Sequence, residues 1–67
     1  MRQWLKDART KQRLTMKQVA DALGISESYY CYIENGERQH KMDIVTAKHL
    51  ANVLGMELAD IIAEETA

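Results

Sequence analysis

Glu27-Ser28-Tyr29-Tyr30-Cys31-Tyr32 gathers all three tyrosines of this 67-residue chain around its only cysteine. The rest of the sequence bounds the chemistry open to that run. One cysteine forms no internal disulfide and is too few for a zinc site of the usual kind. The two histidines, His40 and His49, stand nine apart and not at the i, i+4 spacing of helical ligands, so no metal is expected. No acid/base pair, activated nucleophile or phosphate-cradling loop is visible, and neither an enzyme nor a cofactor is expected. What remains is recognition: hydroxyls, a carboxylate and aromatic rings that can bond to and pack on a partner.

Helical spacing splits the tyrosines between two jobs. Tyr30 and Ile33 are three apart and belong to a buried stripe, whereas Ser28, Tyr29 and Tyr32 lie together as i, i+1 and i+4 on another face. Cys31 falls between the faces and reads as a small packing residue. Glu27 sits in the first turn, where a negative charge suits the helix dipole.

The elements that must position these residues are all helical. No run alternates apolar and polar residues as a half-buried strand does, and the chain has no proline, repeat or low-complexity tract. A first helix is expected over about Arg2 to Arg13, with Trp4, Leu5 and Ala8 inward. Thr15 is a good N-cap for the second, Gln18 completes a capping box, and Leu14 and Val19 occupy staple positions. Gly24 ends that helix after two turns. Ser26 caps the third helix, Ile25 and Tyr30 take its staple positions, and Asn35-Gly36 closes it. So short a connection suits a crossing at roughly 90–120°.

A fourth helix is expected from about Met42 or Asp43 to Leu54, with Ile44, Ala47, Leu50, Ala51 and Leu54 at core spacing. A short fifth, about Leu58 to Ala63, presents Leu58, Ile61 and Ile62, and the 64–67 tail is expected to fray. The fold expected is all-α, five helices in one domain over residues 1–67.

Composition fits a soluble globular chain, at 46% hydrophobic and 28% charged residues. No apolar run approaches the roughly 20 residues that span a bilayer, and the N-terminus lacks a signal-peptide core. The chain is therefore read as cytoplasmic, with no membrane partner. Net charge is only −1, yet it is unevenly placed. Residues 1–41 carry eight Lys/Arg against five Asp/Glu, while residues 42–67 carry one Lys against five acids. A basic half and an acidic half are compatible with nucleic-acid binding on one side and another contact on the other.

Counted from Met16, apolar residues fall at positions 4, 8, 10, 15 and 18 of a twenty-residue window: Val19, Leu23, Ile25, Tyr30 and Ile33. Ala20 is small where two helices cross, and Gly24 suits the left-handed backbone of a sharp turn. This run, LTMKQVADALGISESYYCYIENGER over residues 14–38, resembles the phage lambda repressor/Cro-like helix-turn-helix family. The resemblance implies a five-helix DNA-binding domain. Its second helix lies across the groove and its third enters the major groove of double-stranded DNA. It implies base contacts from Glu27, Ser28, Tyr29 and Tyr32, joined by Met16 at the start of the second helix. Phosphate contacts are expected from Thr15, Lys17, Gln18, Asn35 and Arg38, and Arg9 is expected to pair with Glu34 as a structural tie.

Two departures matter. Met16 and Glu27 stand where several members carry glutamine, so an adenine-type contact is not carried over. Gln39-His40-Lys41 replaces a common proline. Glu27 can accept from a cytosine amino group or merely favour its helix N-terminus, and the exposed tyrosines can meet thymine methyls or phosphates.

A module this small reads few base pairs, which points to a homodimer. Met56, Leu58, Ile61 and Ile62 are its candidate surface, although they can equally close the core. The expected function is a sequence-specific transcriptional regulator of repressor type, without a small-molecule ligand. An antitoxin, a restriction-modification controller, and an interaction module that does not bind DNA are the alternatives.

Overall fold

Capping side chains and left-handed residues divide the chain into helices. The computed structural model describes residues 2–35 and 42–66. Among them are α1 (Gln3–Lys11), α2 (Met16–Leu23), α3 (Glu27–Asn35), α4 (Ile44–Leu54) and α5 (Leu58–Thr66). No strand occurs among the described residues, and no helix there is long and apolar enough to cross a membrane.

The start signals work as their chemistry dictates. Thr15 Oγ1 accepts from the Gln18 N–H at 3.0 Å while Gln18 Oε1 accepts from the Thr15 N–H at 2.8 Å, a complete capping box. Ser26 Oγ accepts from the Tyr29 N–H at 3.1 Å, and Asp43 Oδ1 from the Thr46 N–H at 2.9 Å. Gly24 closes α2 in the left-handed region at φ 73°, with the Ile25 N–H reaching back to the Ala20 carbonyl.

The end of α1 uses the same closure without a glycine. Arg13 has φ 60°, and the Arg13 and Leu14 N–H groups bond the Thr10 and Arg9 carbonyls. A side chain in this region costs about 1–2 kcal/mol, partly offset in a glycine by the entropy of its freer unfolded chain. Arg13→Gly should therefore raise stability by about 0.5–1 kcal/mol, read as a higher urea midpoint at unchanged slope. An equal or lower midpoint would contradict this account of the turn.

One core sits beneath all five helices. Leu5, Val19, Tyr30, Leu50 and Ile61 have no exposed surface, and Ala20, Ile33 and Leu54 have almost none. Ala20 of α2 is buried in the same core at 1% exposure. Trp4, Ala8, Leu14, Leu23, Ile25, Met56 and Leu58 pack around this centre half-buried.

Four expectations change. The first helix is shorter at both ends, because Arg2 lies outside it and Arg13 turns left-handed. Ile44 is 63% exposed, since α4 begins there and its first turn projects past the core. The tail does not fray at Ala63: α5 continues to Thr66, because Glu65 is held by residues of the N-terminus. Ile61 faces the protein's own core and offers no surface to a second copy, and Met56 and Leu58 pack against that core. Of the four residues expected at a dimer surface, only Ile62 is exposed, at 45%.

Candidate nucleic-acid interface

The face of α3 turned away from the core is built by the same spacing that buries Tyr30 and Ile33. Tyr29 and Tyr32 are 45% and 41% exposed, with ring centroids 6.5 Å apart and ring planes inclined by 17°. This offset-stacked arrangement is worth about 0.5–1.5 kcal/mol and favours one orientation of the two side chains before anything binds. Glu27 and Ser28 are exposed in the first turn of α3, next to Tyr29. Asn35 is exposed at the other end, where its Nδ2 donates to the Cys31 Sγ at 3.4 Å.

The start of α2 contributes differently from its sequence expectation. Thr15 and Gln18 are exposed, but their mutual bonds engage the Thr15 and Gln18 N–H groups. The Met16 and Lys17 N–H groups are then the amides of this first turn left to face an anion. Met16 is half-buried against the core edge. The Lys17 ammonium stands 3.5 Å from Asp21, with both side chains about two-thirds exposed. Such an i, i+4 pair is weak and easily exchanged for a phosphate. The phosphate contact expected of Arg38 falls in the 36–41 segment, outside the described residues, as does His40.

Two ionic clusters hold the C-terminal end of α3 in place, one built on Arg9 and one on Arg2. Arg9 on α1 donates from Nε and Nη2 to the Glu34 carboxylate at 2.8 and 3.0 Å, and from Nη1 to the Leu14 carbonyl at 2.8 Å. Tyr30 Oη donates to the same carboxylate at 2.8 Å, and Glu34 is only 3% exposed. Burial first, then the hydrogen bond to Glu34 and its charge, drives the Tyr30 hydroxyl far above its usual range, so it remains a donor. The hydrogen bonds that Arg9 donates to Glu34 raise its guanidinium further still, against the opposing effect of burial.

The second cluster has no counterpart in the sequence expectations. The Arg2 N–H bonds the Glu34 carbonyl at 2.8 Å, and its Nη1 bonds the Ile33 carbonyl. Two carbonyls at the C-terminal end of α3 are thus satisfied from outside the helix. Arg2 is itself gripped by Glu65, through Nε at 2.8 Å and Nη2 at 2.9 Å, and Trp4 Nε1 donates to Glu65 at 3.1 Å. Sixty-three residues separate Arg2 from Glu65. The available signal was weak: an arginine and an indole at one end, and an acidic pair at the other.

The model of the Helix-turn-helix family, the lambda repressor/Cro-like domains, matches residues 5–61. The chain belongs to this family. No curated protein and no solved structure gives a match. Membership makes the protein a DNA-binding helix-turn-helix domain of the kind that regulates transcription. The match covers all of α1 through α4 except the first two residues of α1, and it reaches Ile61 in α5. In this family member α2 and α3 are the helix-turn-helix pair, joined through Gly24, Ile25 and Ser26.

Proposed function

We propose that the protein is a sequence-specific regulator that lays α3 in the major groove of duplex DNA and represses transcription from the bound site. The observation that carries this reading is the exposed face of Glu27, Ser28, Tyr29 and Tyr32, on a helix capped by Ser26 at its start and tied at its C-terminal end by Arg9 and Arg2. A rigid reading helix loses little entropy on docking. Lys17, Asn35 and Arg38 supply phosphate contacts around it. The Met16 and Lys17 amides receive a phosphate at the N-terminus of α2.

A pair of copies on two half-sites supplies the specificity that one module lacks. The exposed apolar residues available for that contact are Ile44, Val45 and Ile62. Ile44 and Ile62 line a groove between α4 and α5 with Met42, Ala47 and Thr66, and Val45 is exposed next to Ile44 in the first turn of α4. This replaces the Met56, Leu58 and Ile61 surface.

Selection of bound duplexes from a randomised pool tests the reading. Two half-sites about one helical turn apart are expected, with affinity falling steeply as salt rises. Each lost phosphate contact should reduce the logarithmic salt slope by roughly one. Binding that ignores salt, or no binding to duplex, would instead favour an interaction module that does not bind DNA, a reading to which Glu27 and the net charge of −1 lend some weight.

A further inference from the structure

We infer that the reading face recognises thymine 5-methyl groups, packed on the stacked rings of Tyr29 and Tyr32. This rests on the proposed insertion of α3 into the major groove. The residues of α3 are Glu27 to Asn35, and none of them is lysine or arginine. The commonest specific contact to guanine, a bidentate cation on O6 and N7, is therefore not available from this helix. Glu27, an acceptor, opposes that all-acceptor edge and suits an amino group instead.

What α3 offers in place of cations is apolar surface. Two tyrosine rings, each over two-fifths exposed and lying 6.5 Å apart at 17°, form one continuous aromatic face. The thymine methyl is the one apolar group that any base pair presents in the major groove. A ring face docked there gains its largest apolar contact over thymine, where the methyl projects toward it. Because the rings are already held against each other, little side-chain freedom remains to be lost on contact.

The competing use of these residues is a hydroxyl-to-phosphate bond, which carries no sequence information. One experiment separates the two. The duplex selected from a randomised pool is remade with deoxyuridine in place of thymidine, which deletes the methyls and leaves base pairing intact. Affinity is measured for the natural chain, for Tyr29→Phe and Tyr32→Phe, and for the double Tyr29→Ala/Tyr32→Ala variant, each first checked for an unchanged melting curve.

Methyl recognition is supported if deoxyuridine weakens the natural chain by about fourfold per contacted methyl, the value of one buried carbon. The phenylalanine variants should keep both the affinity and the deoxyuridine effect, and the double alanine variant should lose the effect. Unchanged affinity for the deoxyuridine duplex overturns this inference while leaving DNA binding intact. So does a uniform loss in the phenylalanine variants with no deoxyuridine effect, which assigns the hydroxyls to phosphates. A chain that binds no duplex even at low salt overturns the DNA reading and this inference together.

Discussion

Replacing Glu34 with alanine should cost about 3–5 kcal/mol, the usual cost of removing one partner from a buried ion pair. A domain of this length has total stability on the order of 3–10 kcal/mol, so the variant should stand near the edge of unfolding. Three donors converge on the carboxylate: Arg9 Nε, Arg9 Nη2 and Tyr30 Oη, all within 3.0 Å. Alanine leaves each without that acceptor. Arg9 cannot escape by losing its proton, because a guanidinium stays charged in proteins. Its side chain is only 11% exposed, so water cannot fully replace the carboxylate.

Graded variants separate charge from hydrogen bonding. Glu34→Gln keeps an acceptor and the volume but loses the charge, and should cost less than alanine. Tyr30→Phe removes one hydroxyl while the buried ring stays, and should cost about 1.5–3 kcal/mol, as for a bond to a charged group. Urea unfolding at pH 7 should rank the natural chain first, then Tyr30→Phe, with Glu34→Ala last. A Glu34→Ala midpoint indistinguishable from the natural one would show that the cluster does not fix α3.

The parts of the fold and site that could be read from sequence were those with local spacing or a family pattern behind them. The Thr15-Gln18 box, the Ser26 cap and the left-handed Gly24 are decided within four residues, and each forms. The division of Tyr29, Tyr30, Tyr32 and Ile33 between two faces is also local, and their exposures follow it. Ile44 and Ile61 show where periodicity runs out. Both are apolar and correctly spaced, but which of them reaches the core depends on where α4 starts and how α5 docks. The glycine-free turn at Arg13 escaped for the opposite reason. Its conformation goes against local preference and is held by the bonds around it.

Arg2 and Glu65 lie beyond any local rule, and their substitution provides the second large effect. Arg2→Ala should cost about 2–3 kcal/mol, between the value of an exposed pair and that of a buried one, since Arg2 is 9% and Glu65 23% exposed. The loss is not of the ion pair alone. The same guanidinium satisfies the Ile33 carbonyl at the end of α3, so α5 and the reading helix each lose a tie at once. Arg2→Lys should recover little, because one ammonium cannot bridge two carboxylate oxygens and a carbonyl in that fork.

The pair also makes stability depend on acid. The hydrogen bonds from Arg2, opposed by burial, hold the Glu65 carboxyl below its ordinary 4.5. A carboxyl lowered in the folded state binds its proton more readily when unfolded, so its contribution is complete above about pH 4.5. It is lost as pH falls through the lower, folded value. The stability difference between the natural chain and Glu65→Gln should therefore be constant near neutrality and shrink progressively below that point. Trp4, the only tryptophan, donates to Glu65 and reports the same event by its fluorescence. If the difference stays constant through pH 3 while Trp4 emission is unchanged, the grip of α5 on Arg2 does not depend on the carboxylate charge. The end of α3 would then be held by hydrogen bonding of Arg2 to Ile33, Glu34 and Glu65, with no contribution from the Glu65 charge.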